Sequence, residues 1–341
     1  MGKRLTMIYG KVLTTAALTA ALALGAVLPT GAASAATLTE DNSYRIFGSD
    51  RYQTSLEVSW TGWGDGEAET VVVATGADFP DALAATPLAS FHLAPLLLTK
   101  KDSLPAGFAD ELKRLGAKNV ILIGGTGAVS EEVKNEIAKL GIEVDRISGK
   151  SRYETAVKIA EELGMDESLF VTTGATFADS LSISPVAGYI EEPILLVPAS
   201  GTVPAVVADY IKANQPALPF IIGGEKAVAP SVEALFAEEP MRLAGVSRYD
   251  TNKAINDFMY ENELFDETAE IYIATGTNFP DALSGSALAS LYPDPLVLTA
   301  PTPTAASKQQ IQDYSTPDTF HYILGGEKAV SSDTLKKLFA K

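Results

Sequence analysis

One unit is written three times in this chain, and that constrains its fold more than any composition figure. Arg45-Ile-Phe-Gly-Ser-Asp-Arg51-Tyr52-Gln-Thr54 returns as Arg146-Ile-Ser-Gly-Lys-Ser-Arg152-Tyr153-Glu-Thr155 and as Arg242-Leu-Ala-Gly-Val-Ser-Arg248-Tyr249-Asp-Thr251. Each copy is followed by Thr-Gly-x-x-Phe-x-Asp, ending at Asp81, Asp179 and Asp281. Then come the tetrapeptides Pro95-Leu96-Leu97-Leu98, Pro193-Ile194-Leu195-Leu196 and Pro295-Leu296-Val297-Leu298, and last the pairs Gly124-Gly125, Gly223-Gly224 and Gly325-Gly326. A period near 100 residues is long enough for each unit to hold its own core. The expectation is therefore a three-lobed protein and not a thin solenoid.

The spacings separate rigid from tolerant segments. Asp81 to Pro95, Asp179 to Pro193 and Asp281 to Pro295 all span fourteen residues. Arg51 to Thr75, Arg152 to Thr173 and Arg248 to Thr275 span 24, 21 and 27. Length variation belongs in exposed loops, which places loops near 60–69, 164–168 and 261–269. Within a copy, short β-branched runs such as Val71-Val72-Val73 read as strands buried on both faces. They alternate with helical stretches that start at Ser130 with Glu131 and Glu132 and stop at glycines such as Gly116. Alternation of strand and helix predicts an α/β fold with mostly parallel sheets.

The first 35 residues read as an address. Lys3, Arg4 and Lys11 precede an uncharged run from Val12 to Leu28, and Ala33-Ser34-Ala35 offers a small–x–small cleavage pattern. Cleavage is expected after Ala35 or Ala36, giving an exported protein; an uncleaved anchor is the competing reading, weakened by a run marginal in length for spanning. Removing three basic residues takes the formal charge from −17 to −20. Such a balance excludes phosphate tracking along nucleic acid and a basic membrane-surface helix. With no cysteine and two histidines, His92 and His321, zinc ribbons and thiol catalysis are out of reach. The two histidines occupy different places in their repeats, so each is expected to be packed or at the surface. No cofactor is expected. Gly124-Gly125-Thr126-Gly127 suggests a dinucleotide fingerprint, but Gly-Gly-Glu-Lys in the other copies breaks it. Trp60 and Trp63 fall in the variable loop of copy one alone, as exposed or half-buried aromatics.

Each recurring polar residue has two readings. Asp81, Asp179 and Asp281 suit helix N-caps, and they also suit ligand contacts at the carboxyl edge of a sheet. Arg51, Arg152 and Arg248, with Arg45, Arg146 and Arg242 six residues earlier, suit bidentate recognition of carboxylate or phosphate, or else salt bridges between lobes. The tetrapeptides read as strands entered through proline.

Taken together, these four motifs in fixed order over residues 44–341 resemble the cell wall binding repeat 2 family. The resemblance implies modules at 44–141, 145–240 and 241–341, Rossmann-like folds packed about a pseudo-threefold axis, and non-covalent attachment of Gram-positive surface proteins to anionic secondary wall polymers. It implicates the Pro-Ile-Leu-Leu tetrapeptide in anchoring, intact in copy two and conservatively altered in copies one and three. It also implies a place at the cell surface. Family members are often joined to wall-degrading amidases, so an amidase or its modifier, and a self-assembling surface-layer component, are the alternatives; no catalytic constellation is visible. For a chain this acidic, an anionic polymer needs local sites, built from arginines of one lobe and backbone N–H groups of the next, or a bridging cation.

Overall fold

The computed structural model describes residues 38–39, 41–265 and 270–340, so the expected export segment lies outside the described residues. Among the described residues, twelve short strands are arranged in three four-stranded sheets, every pairing parallel. In chain order they are β1 (Ser43–Ile46), β2 (Thr70–Thr75), β3 (Leu96–Thr99), β4 (Asn119–Ile123), β5 (Glu143–Ile147), β6 (Ser168–Thr173), β7 (Ile194–Val197), β8 (Leu218–Ile222), β9 (Met241–Leu243), β10 (Ile271–Thr275), β11 (Leu296–Thr299) and β12 (His321–Leu324). The sheets run β3-β2-β4-β5, β7-β6-β8-β9 and β11-β10-β12-β1. The α/β architecture read from the sequence is the one found.

The strand opening each repeat lies in its neighbour's sheet. β5, with Arg146, pairs with β4; β9, with Arg242, pairs with β8; and β1, with Arg45, pairs with β12 at the far end of the chain. After each such strand four residues cross over, and the helix that follows (Arg51–Gly62, Arg152–Leu163, Arg248–Glu261) packs on the next sheet. The chain thus closes head to tail, Ser43 opposite His321 and Ile46 opposite Leu324.

Side chains alternate across the sheets as the pleat requires. Leu195 and Val197 of β7 join a core confined to the second module, whereas Ile194 and Leu196 join a larger core shared by all three. In the same way Val297 joins the third module's own core, and Leu296 and Leu298 on either side join the shared one. At the middle lie the helices after the recurring aspartates: a 3-10 turn Ala82–Ala84 leading into Ala85–Phe91, then Ala178–Tyr189 and Pro280–Ala289. Apart from Phe91, Tyr189 and Asp281 their residues are buried, and they are rich in Ala and Ser, which lets backbones approach closely. Equivalent residues of the modules touch there. Phe79 meets Phe177 and Phe279 with ring centroids 5.7 and 5.5 Å apart. Toward the other end of the helices, Ser90 Oγ lies 2.6 Å from Ser290 Oγ, and Gly188 packs between them.

Two expectations are corrected here. The aspartates do not cap the central helices: no side-chain cap bond is made at Asp81, and Phe177 and Phe279 occupy the cap positions of the other two, leaving Asp179 and Asp281 in the first turn. The first loop is shorter than expected, because the helix runs to Gly62 and Trp63 is buried, 4 % exposed, donating to the Leu93 carbonyl at 2.7 Å. Trp60, on the same helix, is 64 % exposed.

Candidate functional site at the module junctions

Each junction is built by the Arg-x-x-Gly-x-x-Arg-Tyr-x-Thr segment. Its glycine allows the crossing chain to lie against the first helical turn, where any Cβ on Gly48, Gly149 or Gly245 would collide. The glycine N–H groups donate to Thr54, Thr155 and Thr251 Oγ1 at 3.1, 3.0 and 3.1 Å. Asp50, Ser151 and Ser247 cap the helices. The second arginine therefore begins a helix locked in place by its own motif.

The six arginines, expected as one ligand set, divide into two. Arg45, Arg146 and Arg242 lie on edge strands and fasten the Gly-Gly turn of the preceding repeat. Arg45 Nη1 donates to the Gly325 and Val330 carbonyls, both at 2.8 Å, and Nη2 lies 3.3 Å from Glu327. Arg146 donates to the Gly124 carbonyl at 2.8 Å and pairs with Glu131 at 3.0 Å. Arg242 donates to the Gly223 carbonyl at 2.7 Å and pairs with Glu233 at 2.7 Å. Occupied in this way, these guanidinium groups act as internal clamps between the edge strand and the turn.

Arg51, Arg152 and Arg248 are different. Nη1 of each donates to the carbonyl of Gly76, Gly174 or Gly276, at 2.6 Å for the first and 2.5 Å for the third. Each guanidinium lies over a phenylalanine of the preceding module: Arg51 over Phe279, Arg152 over Phe79 and Arg248 over Phe177, at 5.6, 6.0 and 5.4 Å. Nε and Nη2 have no partner among the described residues and remain available to a ligand. The Thr-Gly glycine is required by this approach, since a Cβ on Gly76 would lie 2.6 Å from the Tyr52 ring and one on Gly174 2.9 Å from Arg152 Cδ.

Opposite each arginine is the aspartate of the preceding module, its carboxylate against the Gly-Gly turn. A Cβ on Gly124 would lie 2.9 Å from Asp81 Oδ2, and one on Gly223 2.7 Å from Asp179 Oδ2. Those glycines have φ of 102° and 109°, a left-handed conformation that also favours glycine. Burial pushes the Asp179 carboxyl up to about 6, against the pull of Arg248. Burial also raises Asp281, opposed by a hydrogen bond from Thr54 and by Arg51. Beyond the turn, three successive backbone N–H groups (Gly125, Thr126, Gly127; likewise Gly224, Glu225, Lys226) donate to no acceptor among the described residues.

At two of these junctions the described residues line clefts. One of about 570 Å3 is lined by Asp81, Gly125, Gly127 and Arg152, and the other, of about 880 Å3, by Asp179, Gly224, Lys226 and Arg248. Both open at the carboxyl ends of the strands, where open α/β sheets bind ligands. Sequence reasoning gave no role to Phe79, Phe177 and Phe279, although their recurrence two residues before each aspartate was visible.

The tetrapeptides are elsewhere. Pro95, Pro193 and Pro295 and the nine aliphatic residues after them are buried in edge strands β3, β7 and β11. These side chains are packed inside the fold and line neither cleft. Each strand lies against the central helix or turn of a neighbouring module, and helix side chains meet the free edges of β3 and β11: Ser55 accepts from Leu98 N at 3.0 Å, and Asn252 accepts from Leu298 N at 3.0 Å.

Cell wall binding domain 2 (CWB2) matches the chain at residues 45–134, 146–233 and 242–335. The chain belongs to the CWB2 family. It is similar to the N-acetylmuramoyl-L-alanine amidase LytC of Bacillus subtilis, 31 % identical over 299 residues, covering 87 % of this chain and 58 % of the relative. The amidase enhancer of the same organism is 32 % identical over 248 residues, covering 72 % of this chain and 33 % of its own length. Among solved structures, Cwp8 from Clostridium difficile superposes with a TM-score of 0.77 at 28 % identity, over 87 % of this chain and 51 % of that one. Cwp6 from the same organism gives 0.78 at 26 %, over 88 % and 48 %. The chain therefore spans less than two thirds of these relatives. CWB2 membership makes cell wall binding the function of the repeats. Among the described residues, no helix is long and apolar enough to cross a membrane, and no cluster of three or more His, Asp or Glu is placed to hold a metal ion.

Proposed function

We propose that this protein is exported and attaches non-covalently to the Gram-positive cell wall by holding anionic secondary wall polymer in its module junctions. The observation that carries this reading is the state of Arg152 and Arg248. Each lines a cleft, is oriented by a carbonyl and a phenylalanine, and keeps two donor nitrogens unengaged. A run of unengaged backbone N–H groups in the same cleft adds a second anion-binding element. The contacts between equivalent phenylalanines and between Ser90, Gly188 and Ser290 support packing of the modules about a pseudo-threefold axis along the central helices. Such an arrangement presents junction sites on one face, and a repetitive polymer that engages several weak sites gains avidity. Screening over about 8 Å at physiological salt keeps the remote acidic surface from preventing this.

The reading is of a binding unit and not of an enzyme: arginine, backbone N–H groups and an aspartate beside arginine suit anion capture, and no nucleophile–base pair recurs among them. The test is co-sedimentation with host walls, intact or stripped of secondary polymer. Binding to intact walls alone, abolished when Arg51, Arg152 and Arg248 are changed to alanine in a chain that still folds, is expected. Equal binding to stripped walls would shift the ligand to peptidoglycan, and sheet-like assembly without walls would favour a surface-layer component.

A further inference from the structure

The repeats are similar, but their clefts differ in charge and in the bareness of their floors. We infer that the cleft between the first and second modules is the dominant anion subsite and that the cleft between the second and third is a weaker, secondary one. This inference rests on the anion-binding reading above and ranks its sites.

The difference begins in the Gly-Gly turn. In the second module the two glycines are followed by Glu225 and Lys226, whereas in the first they are followed by Thr126 and Gly127. A Cβ on Gly125, as on its counterpart Gly224, would meet nothing within 4 Å; the first turn alone extends this open backbone to Gly127, where the second carries Lys226. Unscreened N–H groups on such a turn bind phosphate-like oxygens at close range, which a side chain at the same place would obstruct.

The walls differ as well. Lys101, Lys150 and Arg152 line the first cleft against Asp78 and Asp81. Lys226 and Arg248 line the second against Asp179 and Glu225. Three cations against two carboxylates thus compare with two against two. Lys101 and Lys150 make no ion pair within 4.0 Å among the described residues, and Lys101 is near enough to Glu132 to help hold that carboxyl below its ordinary range. Position 101 is Ala199 or Pro301 in the other repeats, and position 150 is Val246 or Ser49. Both lysines are thus particular to one junction of an otherwise acidic chain.

Titration calorimetry of the full chain with tripolyphosphate tests the ranking against a charge-matched control. Lys101→Gln with Lys150→Gln removes two charges at the first cleft, and Lys226→Gln with Lys328→Gln removes two from the other turns. All four lysines are exposed, so melting temperatures should be unchanged. The first pair is expected to weaken the tighter binding event by about tenfold or more, the worth of one charge-assisted hydrogen bond, and the control by less than about threefold. Equal weakening by both pairs, a larger effect of the control, or no tripolyphosphate binding by the parent chain overturns the inference. Wall co-sedimentation by the same proteins separates the two claims. A parent chain that shows the ranking yet ignores walls refutes the wall-polymer reading alone, and one that sediments with walls while the pairs behave alike refutes the ranking alone.

Discussion

Replacing Asp179 by asparagine should make this protein more stable, and only above a defined pH. The carboxyl is 8 % exposed, lies in the first turn of a central helix, and has one cation, Arg248, acting on it from across the junction. Burial outweighs that attraction and raises its pKa from 3.8 to about 6. A raised acid pKa means that the folded state holds the proton more tightly than the unfolded chain does. Stability from this group is then fully present below about pH 3.8 and is lost as pH rises through about 6. At 1.36 kcal/mol per pKa unit, ionisation of Asp179 costs the folded state about 3 kcal/mol at pH 8. Asparagine has nearly the same shape and no charge. Asp179→Asn should therefore gain up to about 3 kcal/mol at pH 8, a rise of about 4–5 °C if roughly 300 residues melt together, and nothing near pH 4. Urea unfolding followed by circular dichroism at pH 4, 6 and 8 reads this directly. Equal stability at pH 8, or a loss at every pH, would refute the reasoning and show that Arg248 and the adjoining turn more than repay the buried charge.

The arginine sets should part experimentally: Arg45→Ala should lower the melting temperature by releasing β1 and leave wall binding of the folded protein intact, while Arg152→Ala should weaken wall co-sedimentation with a smaller change in melting. His321 is fully buried, with Nε2 2.9 Å from Ser315 Oγ, and burial lowers its pKa from 6.5 to about 4. Stability tied to its neutral form is present above about pH 6.5 and is lost as pH falls toward 4, a change of about 3 kcal/mol; His321→Gln should flatten the acid limb of the stability profile. Gly188→Ala places a Cβ 2.7 Å from that of Ser290, and overpacking of this kind should cost about 1–3 kcal/mol in denaturant unfolding. Leu196→Ala should cost about 2–5 kcal/mol as a core truncation, yet the folded remainder should bind walls like the parent chain; a fully folded variant that fails to bind would restore a contact role to the tetrapeptide.

Much of this architecture was legible because duplication repeats what the fold needs. The four motifs, the alternation of strand and helix and the strands buried on both faces are all visible in the residues. The boundary of the folding unit was not, since a period fixes the length of a repeat and leaves open where it begins. Hence Arg146 reads as the start of the second copy while its strand completes the first sheet. The arginines six residues apart look alike in sequence; only the strand exchange shows that the first faces a turn it must hold and the second a cleft. Pro-Ile-Leu-Leu drew attention by recurrence, which burial explains equally well. Asp179 next to a helix start suggests a cap, but Phe177 takes that position and turns the carboxylate toward Gly223.

The pairing of β1 with β12 also determines how the protein bears a mechanical load. The strands are parallel and in register from Ser43–His321 to Ile46–Leu324. A pull applied through the segment before Ser43 and through the helix Ser332–Leu338 draws the two strands along their own axes in opposite directions. Their hydrogen bonds, together with both Arg45 contacts to the Gly325 and Val330 carbonyls, are then strained simultaneously in shear instead of being unzipped one by one. Until that joint yields, the modules behind it carry little tension, so the protein should resist traction as a closed link whose strength resides where its two ends meet.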